Sequence, residues 1–163
     1  MTQPYTIPTG TTIGHVHLKV ANIERALEFY HDVLGFEIIH RMGDEAVFIS
    51  AGGYHHHIAL NTWYSKDKPP APKNTAGLFH IAILYPTRID LSVALNRVKN
   101  AGIPLDGSSD HGVSEAVYIN DPDGNGIELY VDRPKSDWPR DISGNISMTS
   151  SPLDIDALLK LSQ

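Results

Sequence analysis

The sequence predicts an α+β fold made of two βαβββ modules. One order of elements, a short apolar strand followed by an amphipathic helix and further strands, occurs twice along the chain. Apolar segments of the two copies also align: Ala46–Ile49 matches Ala116–Ile119, and Ile58–Leu60 matches Ile127–Leu129. Each copy has roughly 50 residues, too few to bury a core of its own comfortably. We therefore expect the two modules to pack into one domain, residues 11–134.

The first module spans residues 11–63 and opens with an apolar strand over Ile13–Val20. A helix is predicted next, because apolar residues recur at helical spacing between Asn22, a suitable N-cap, and Gly35, a suitable stop. Three strand-like segments complete the module, separated by glycines: Phe36–Arg41, Glu45–Ser50 and His56–Thr62.

The second module, residues 76–134, repeats this order after a polar, proline-rich connector at 64–75. His80 opens a strand, and a helix over Asp90–Ala101 ends at Gly102. Two strand-like segments follow, Val113–Asn120 and Ile127–Asp132, joined by a turn of the Asp-Pro-Asp-Gly type. Residues 135–163 form a C-terminal arm with a short amphipathic helix predicted within Pro152–Leu161.

Composition excludes several classes of function. The 163 residues include no cysteine, which rules out disulfides, zinc–thiolate sites and iron–sulfur clusters. The net charge is −6 and no Lys/Arg cluster occurs, which argues against nucleic acid as a partner. No apolar segment approaches the length of a membrane span, and Met1–Tyr5 does not look like the start of a secretory signal. These features predict a soluble, cytoplasmic protein.

Two histidines and one glutamate stand out as candidate metal ligands. His15 and His80 occupy matching places at the first strand of each module, and Glu128 lies in the last strand of the second module. Two imidazoles and one carboxylate form the facial triad of non-haem Fe(II) oxygenases, which leaves coordination positions open. The alignment puts Ala59 at the first module's equivalent of Glu128, so one position carries no ligand.

This pattern, over about residues 11–134, resembles the vicinal-oxygen-chelate superfamily, which includes glyoxalase I, extradiol ring-cleaving dioxygenases, and fosfomycin and bleomycin resistance proteins. The resemblance implies a curved mixed sheet that wraps a divalent metal held by His15, His80 and Glu128. Ala59 replaces the fourth ligand of glyoxalase I, which lowers the expectation of glyoxalase chemistry.

Similarity to the extradiol dioxygenases implies further site residues. These enzymes have an acid/base histidine three residues before the Ala59 position, which is His56 here; strict strand alternation would favour His57 instead. They also have a second pocket histidine, matched less closely by His111, and a tyrosine ten residues before the glutamate, which is Tyr118.

The resemblance implies Fe(II)-dependent ring cleavage of a catechol-type aromatic diol by O₂, in a homo-oligomer such as a dimer. Mn(II) or another divalent metal is an alternative to Fe(II). The alternative functions are a metal-dependent glyoxalase-type isomerase and a resistance-type transferase. A non-catalytic binding module of the bleomycin-resistance kind is disfavoured by the His/His/Glu set.

Overall fold

The computed structural model of the protein describes residues 4–163 and contains eight strands in two four-stranded sheets. The strands are β1 (Val16–Lys19), β2 (Glu37–Met42), β3 (Ala46–Ser50), β4 (Ile58–Asn61), β5 (Ile81–Leu84), β6 (Gly107–Asp110), β7 (Ser114–Asn120) and β8 (Gly126–Asp132). Sheet 1 has the order β1-β4-β3-β2 and sheet 2 the order β5-β8-β7-β6. In each sheet one outer pair is parallel and the other two pairs are antiparallel.

Strand register confirms the internal repeat. Val16 lies opposite Ile58 in sheet 1 and Ile81 lies opposite Ile127 in sheet 2. Ala59 is therefore the structural equivalent of Glu128, as the sequence alignment predicts. The α+β class is confirmed, although the strands form two separate sheets rather than one continuous curved sheet.

The first helix begins at its predicted cap, and the other two lie close to their predicted positions. Helix α1 (Ile23–Leu27) begins after Asn22, whose side chain accepts a hydrogen bond from the Arg25 amide, and continues as a wider π-helical segment, Glu28–Val33. Helix α2 (Arg88–Asn100) begins after Thr87, two residues earlier than predicted. Helix α3 (Ile155–Leu159) lies within the C-terminal segment predicted to be helical.

Two elements differ from the sequence prediction. Strand β6, with the sequence Gly-Ser-Ser-Asp, has no apolar residue to indicate a strand, and it forms because it pairs along β7. The strands predicted to contain His15 and His80 begin one residue after each histidine, at Val16 and Ile81. Each histidine thus lies immediately before the first residue of a strand, where the backbone is less constrained than it is within the paired strands.

The core lies between the sheets' inner faces and the helices. Leu18 of β1 and Val20, just after it, are buried, whereas the alternate residues His17 and Lys19 are exposed, so the second face of β1 is open. Within residues 4–163, no helix is both long and apolar enough to cross a membrane. The N-terminal segment considered above begins with residues 1–3, which lie outside the described part of the chain.

Candidate metal centre and active site

The clearest pair of candidate ligands lies in sheet 2. Ring nitrogen Nε2 of His80 is 2.9 Å from carboxylate oxygen Oε2 of Glu128. Two adjacent ligands at about 2.1 Å from one metal ion, with an angle near 90° between them, have their donor atoms about 3 Å apart. The spacing of these two atoms therefore fits neighbouring positions in one coordination sphere.

A glycine permits this approach. Gly126 begins β8 beside the entrance to β5, and a Cβ atom on it would lie 2.3 Å from the carbonyl oxygen of Phe79 and 3.1 Å from Cβ of His80. Only a residue without a side chain allows His80 to come this close to the strand that carries Glu128.

Tyr118 and His111 extend the site along sheet 2. Tyr118 lies directly opposite Glu128 in the β7–β8 ladder, and its ring centroid is 5.8 Å from that of His80. The Tyr118 hydroxyl is 2.7 Å from Nε2 of His111. Burial, and then the neighbouring Glu128 carboxylate, raise the pKa of Tyr118 above its ordinary value, so the phenol keeps its proton at neutral pH.

His15 and His56 lie together in sheet 1. Their ring centroids are 4.4 Å apart, and the His56 ring also packs edge-on against Phe48, 5.1 Å away. His57 instead hydrogen-bonds through Nδ1 with the Ser50 hydroxyl, 2.9 Å away. Burial, and then the charge of His15, lower the pKa of His56, which favours the neutral imidazole that a general base requires.

An aromatic surface surrounds Ala59 on the same face. Phe48 and His17 are both register partners of Ala59, and His17 packs edge-on against Trp63 at 5.3 Å. Ala59 is completely buried beneath these neighbours. Sequence reasoning did not assign Phe48 to the site, although its alignment with Tyr118 in the repeat could have indicated it.

The structure thus divides the predicted residues into two groups. His15 and His56 belong to sheet 1, whereas His80, Glu128, Tyr118 and His111 belong to sheet 2. Among residues 4–163, no three His, Asp or Glu side chains lie close enough together to hold a metal ion. Two of the three predicted ligands are therefore in contact, and His15 does not join them.

Two dioxygenases and a lactoylglutathione lyase are similar to this chain over most of its length. Catechol-2,3-dioxygenase of Bacillus subtilis (strain 168) is 42% identical over 154 residues, 94% of this chain and 53% of that protein. Biphenyl-2,3-diol 1,2-dioxygenase 3 of Rhodococcus globerulus is 30% identical over 74% of this chain and 63% of its own length. Lactoylglutathione lyase of Neisseria meningitidis serogroup A is 28% identical, over 71% of this chain and 86% of that protein. The chain thus spans between half and two thirds of the two dioxygenases.

A solved structure shares the fold of this chain, and a family model identifies its family. The glyoxylase/bleomycin resistance protein/dioxygenase domain from Frankia sp. EAN1pec superimposes with a TM-score of 0.66 at 20% identity, covering 77% of this chain and 94% of that one. At this identity the likeness shows the fold alone. The model of the Glyoxalase/Bleomycin resistance protein/Dioxygenase superfamily matches residues 12–129, and the chain belongs to this superfamily.

Proposed function

We propose that this chain is an extradiol dioxygenase that opens the ring of a catechol-type aromatic diol with O₂, using Fe(II) as its metal. The observation that carries the proposal is the 2.9 Å contact between His80 Nε2 and Glu128 Oε2, with Ala59 at the equivalent place in the other module. Similarity to two proteins named as dioxygenases of aromatic diols supports the substrate class.

In this proposal His15, His80 and Glu128 hold the metal. Two imidazoles and one carboxylate suit Fe(II), and Mn(II) or another divalent ion could bind the same donors. When bound, such a metal would supply open coordination positions for the diol and O₂ and would lower the pKa of the diol hydroxyls. Alanine at position 59 adds no fourth side-chain ligand, which keeps these positions free.

His56 would act as the general base. Its lowered pKa keeps the imidazole neutral, so it can take a proton from a diol hydroxyl and return it later. The rings of Phe48 and His17, on the same face, offer an apolar and aromatic surface against which the diol ring can pack.

Tyr118 and His111 would stabilise negative charge on a substrate oxygen. The Tyr118 phenol is protonated at neutral pH and can donate its hydrogen bond to an oxygen beside Glu128. Nε2 of His111, 2.7 Å from that hydroxyl, can share the same proton. Together the two side chains can hold one proton at the edge of the site.

We further propose that a second copy of the chain completes the metal site. His15 and the His80–Glu128 pair lie in different sheets, and β1 and β5 are each the outermost strand of their sheet. Ile13 and Phe79, beside the two histidines, are 89% and 88% exposed. Large apolar side chains at such positions are typical of a surface that another subunit covers. In a dimer, sheet 1 of one subunit would face sheet 2 of the other.

The experiment measures metal content and oxygen uptake. Protein purified without oxygen and loaded with Fe(II) should consume O₂ with catechol and form a yellow ring-opened product. His15→Ala, His80→Ala and Glu128→Ala should each lose most of the metal, whereas His31→Ala, whose ring bonds the Phe36 carbonyl, should keep it. Full metal content in any of the first three variants would remove that residue from the ligand set.

An isomerase or transferase function is the second candidate, favoured by the likeness to lactoylglutathione lyase of Neisseria meningitidis. Such chemistry would proceed without O₂. Turnover of a glutathione adduct by the metal-loaded protein under strict anaerobiosis, with no oxygen uptake on catechol, would support this candidate and exclude the dioxygenase.

A further inference from the structure

We propose that the C-terminal arm is a positioning element for His111, and that it acts through the backbone of residues 149–151, which we call the arm strand. The inference rests on the proposed function, in which His111 and Tyr118 contact a substrate oxygen. It concerns a segment that lies beyond the last strand of the second module and beyond the residues that the family model matches, 12–129.

The arm strand adds to the free edge of sheet 2. The amide of Ser151 donates to the Asp110 carbonyl and the Asp110 amide donates to the Ser151 carbonyl, both at 2.9 Å. The amide of Thr149 donates to the His111 carbonyl at 3.0 Å. These bonds continue the ladder outward from β6. The equivalent outer strand of sheet 1, β2, is exposed at every residue.

One contact of the arm strand determines the chemistry of the His111 ring. Nδ1 of His111 is 2.8 Å from the carbonyl oxygen of Thr149. A carbonyl oxygen can only accept a hydrogen bond, so Nδ1 must carry a proton. In the neutral imidazole, Nε2 is then an acceptor, and the Tyr118 hydroxyl donates to it across 2.7 Å. The arm therefore fixes the tautomer of His111 and leaves Nε2 able to accept the Tyr118 proton.

Two further contacts hold the arm in place beside His111. Gly112 has φ of +75°, and a Cβ atom there would lie 3.0 Å from Cγ of Pro139 and 3.3 Å from Oγ1 of Thr149. The loop and the arm are thus in close contact. Leu158 and Leu159 of α3 are buried, and the Asn96 side chain donates to the Leu159 carbonyl at 2.9 Å. The arm is anchored on both sides of the arm strand.

Through His111, the arm should affect the catalytic rate as well as the stability of the fold. If the Thr149 carbonyl were displaced, the His111 proton could move to Nε2, which would then donate to the Tyr118 oxygen and could no longer accept the Tyr118 proton. The ring would also lose the bond that fixes its orientation. The arm strand should therefore affect the rate of the chemical step more than the affinity for the diol.

The test is a ¹⁵N NMR measurement of the His111 ring in the whole 163-residue chain without metal, at a mildly alkaline pH where imidazoles are neutral, together with steady-state kinetics of the metal-loaded enzyme. The unmodified chain should show a protonated Nδ1 and an unprotonated Nε2. Thr149→Pro removes the amide that bonds the His111 carbonyl and should release the arm strand. We expect mixed tautomers and a kcat lowered roughly tenfold with KM little changed.

The matched control is Met148→Pro, one residue earlier. Met148 is exposed, and its amide donates to no backbone or side-chain acceptor among the bonds of residues 4–163. This variant should keep the His111 tautomer and kcat.

A protonated Nε2 with a bare Nδ1 in the unmodified chain would overturn the inference, and this measurement requires no variant to fold. Unchanged His111 shifts in folded Thr149→Pro would also overturn it. If the enzyme shows no oxygen-dependent turnover but His111 has the expected tautomer that Thr149→Pro removes, the proposed function fails while the positioning by the arm stands.

Discussion

At the scale of single residues, the three consecutive histidines His55, His56 and His57 have different surroundings. The His56 ring lies against His15 and Phe48 on the face that includes Ala59. The His57 ring hydrogen-bonds with Ser50. Nδ1 of His55 is 2.7 Å from Nδ1 of His56, so one of these two nitrogens donates to the other. His56 combines contact with a candidate ligand and a lowered pKa.

We therefore expect His56→Phe to retain metal and bind the diol but to lose turnover by roughly 10²–10⁴, the usual contribution of a general acid or base. His57→Phe loses a hydrogen bond to the Ser50 hydroxyl and should reduce kcat far less. Metal analysis and kcat with catechol test both variants. The reverse order of effects would make His57 the base.

The choice between His56 and His57 shows where strand periodicity stops being informative. Alternation predicts which residues share a face only within a ladder, and β4 begins at Ile58, after all three histidines. Resemblance to a family selected His56, whereas the residue pattern alone favoured His57. The repeat alignment correctly predicted Ala59 as the equivalent of Glu128, because both lie inside paired strands.

At the scale of elements, the turn between β7 and β8 connects the two modules. The Tyr30 hydroxyl of the π-helical segment donates to Oδ2 of Asp121 at 2.8 Å, and both groups are buried. The amide of Ala21 donates to Oδ1 of Asp123 at 3.1 Å, and Arg25 forms a salt bridge with the same carboxylate. The hairpin that carries Tyr118 and Glu128 is thus attached to the first module's helix.

Replacing Tyr30 by Phe should weaken this connection. The buried Asp121 carboxylate loses one donor, and we expect the free energy of unfolding to fall by about 1–3 kcal/mol. Burial, and then Asp121, raise the pKa of Tyr30 well above 10.0. Its contribution is therefore complete below pH 10.0 and decreases as pH rises above that value, because the unfolded chain then ionises first.

Urea denaturation at neutral pH and at several pH values above 10.0 measures both effects. Tyr30→Phe should be less stable at neutral pH and should lose less stability on going to alkaline pH. Tyr64→Phe is the control, since Tyr64 is exposed. Equal stability of the Tyr30 and Tyr64 variants would show that the Tyr30–Asp121 bond contributes nothing net.

Elements were predictable to the extent that their own residues carry the pattern. Helix α2 has both an apolar stripe and a glycine stop at Gly102, and its prediction is confirmed. Strand β6 has no apolar residue that would indicate a strand. It forms because it pairs with β7, and its four residues do not predict that tertiary contact. In the π-helical segment Glu28–Val33 the apolar residues keep the spacing of an α-helix, so the sequence predicts an ordinary α-helix there.

At the scale of the whole molecule, the repeat predicts which residues are equivalent but not how the two sheets face one another. Equivalence follows from local patterns, which is why His15 and His80 could be matched in the sequence. The relative placement of the sheets depends on packing between modules, such as the Tyr30–Asp121 contact, and on any second subunit. For this reason the sequence predicts which residues are candidate metal ligands but does not predict whether their side chains meet at one metal ion.

A dimer that pairs sheet 1 of one subunit with sheet 2 of the other predicts complementation between two inactive variants. His15→Ala damages only sheet 1, and His80→Ala damages only sheet 2. In a heterodimer of the two, one site combines both substitutions, whereas the other combines an intact sheet 1 with an intact sheet 2. We expect this heterodimer, co-expressed with two different tags and purified on both, to hold about half the metal and activity of the unmodified dimer.

Two differently tagged His15→Ala chains, purified in the same way, provide the control and should lose most of the metal and the turnover. The expected value of one half follows from symmetry alone, because each of the two sites in a two-fold dimer would take one sheet from each chain. If the His15→Ala/His80→Ala heterodimer is as empty and inactive as this control, although the unmodified protein binds metal, both ligand groups must come from the same chain. The two sheets would then have to close on each other within one subunit, which would bring His15 to the His80–Glu128 pair without a partner.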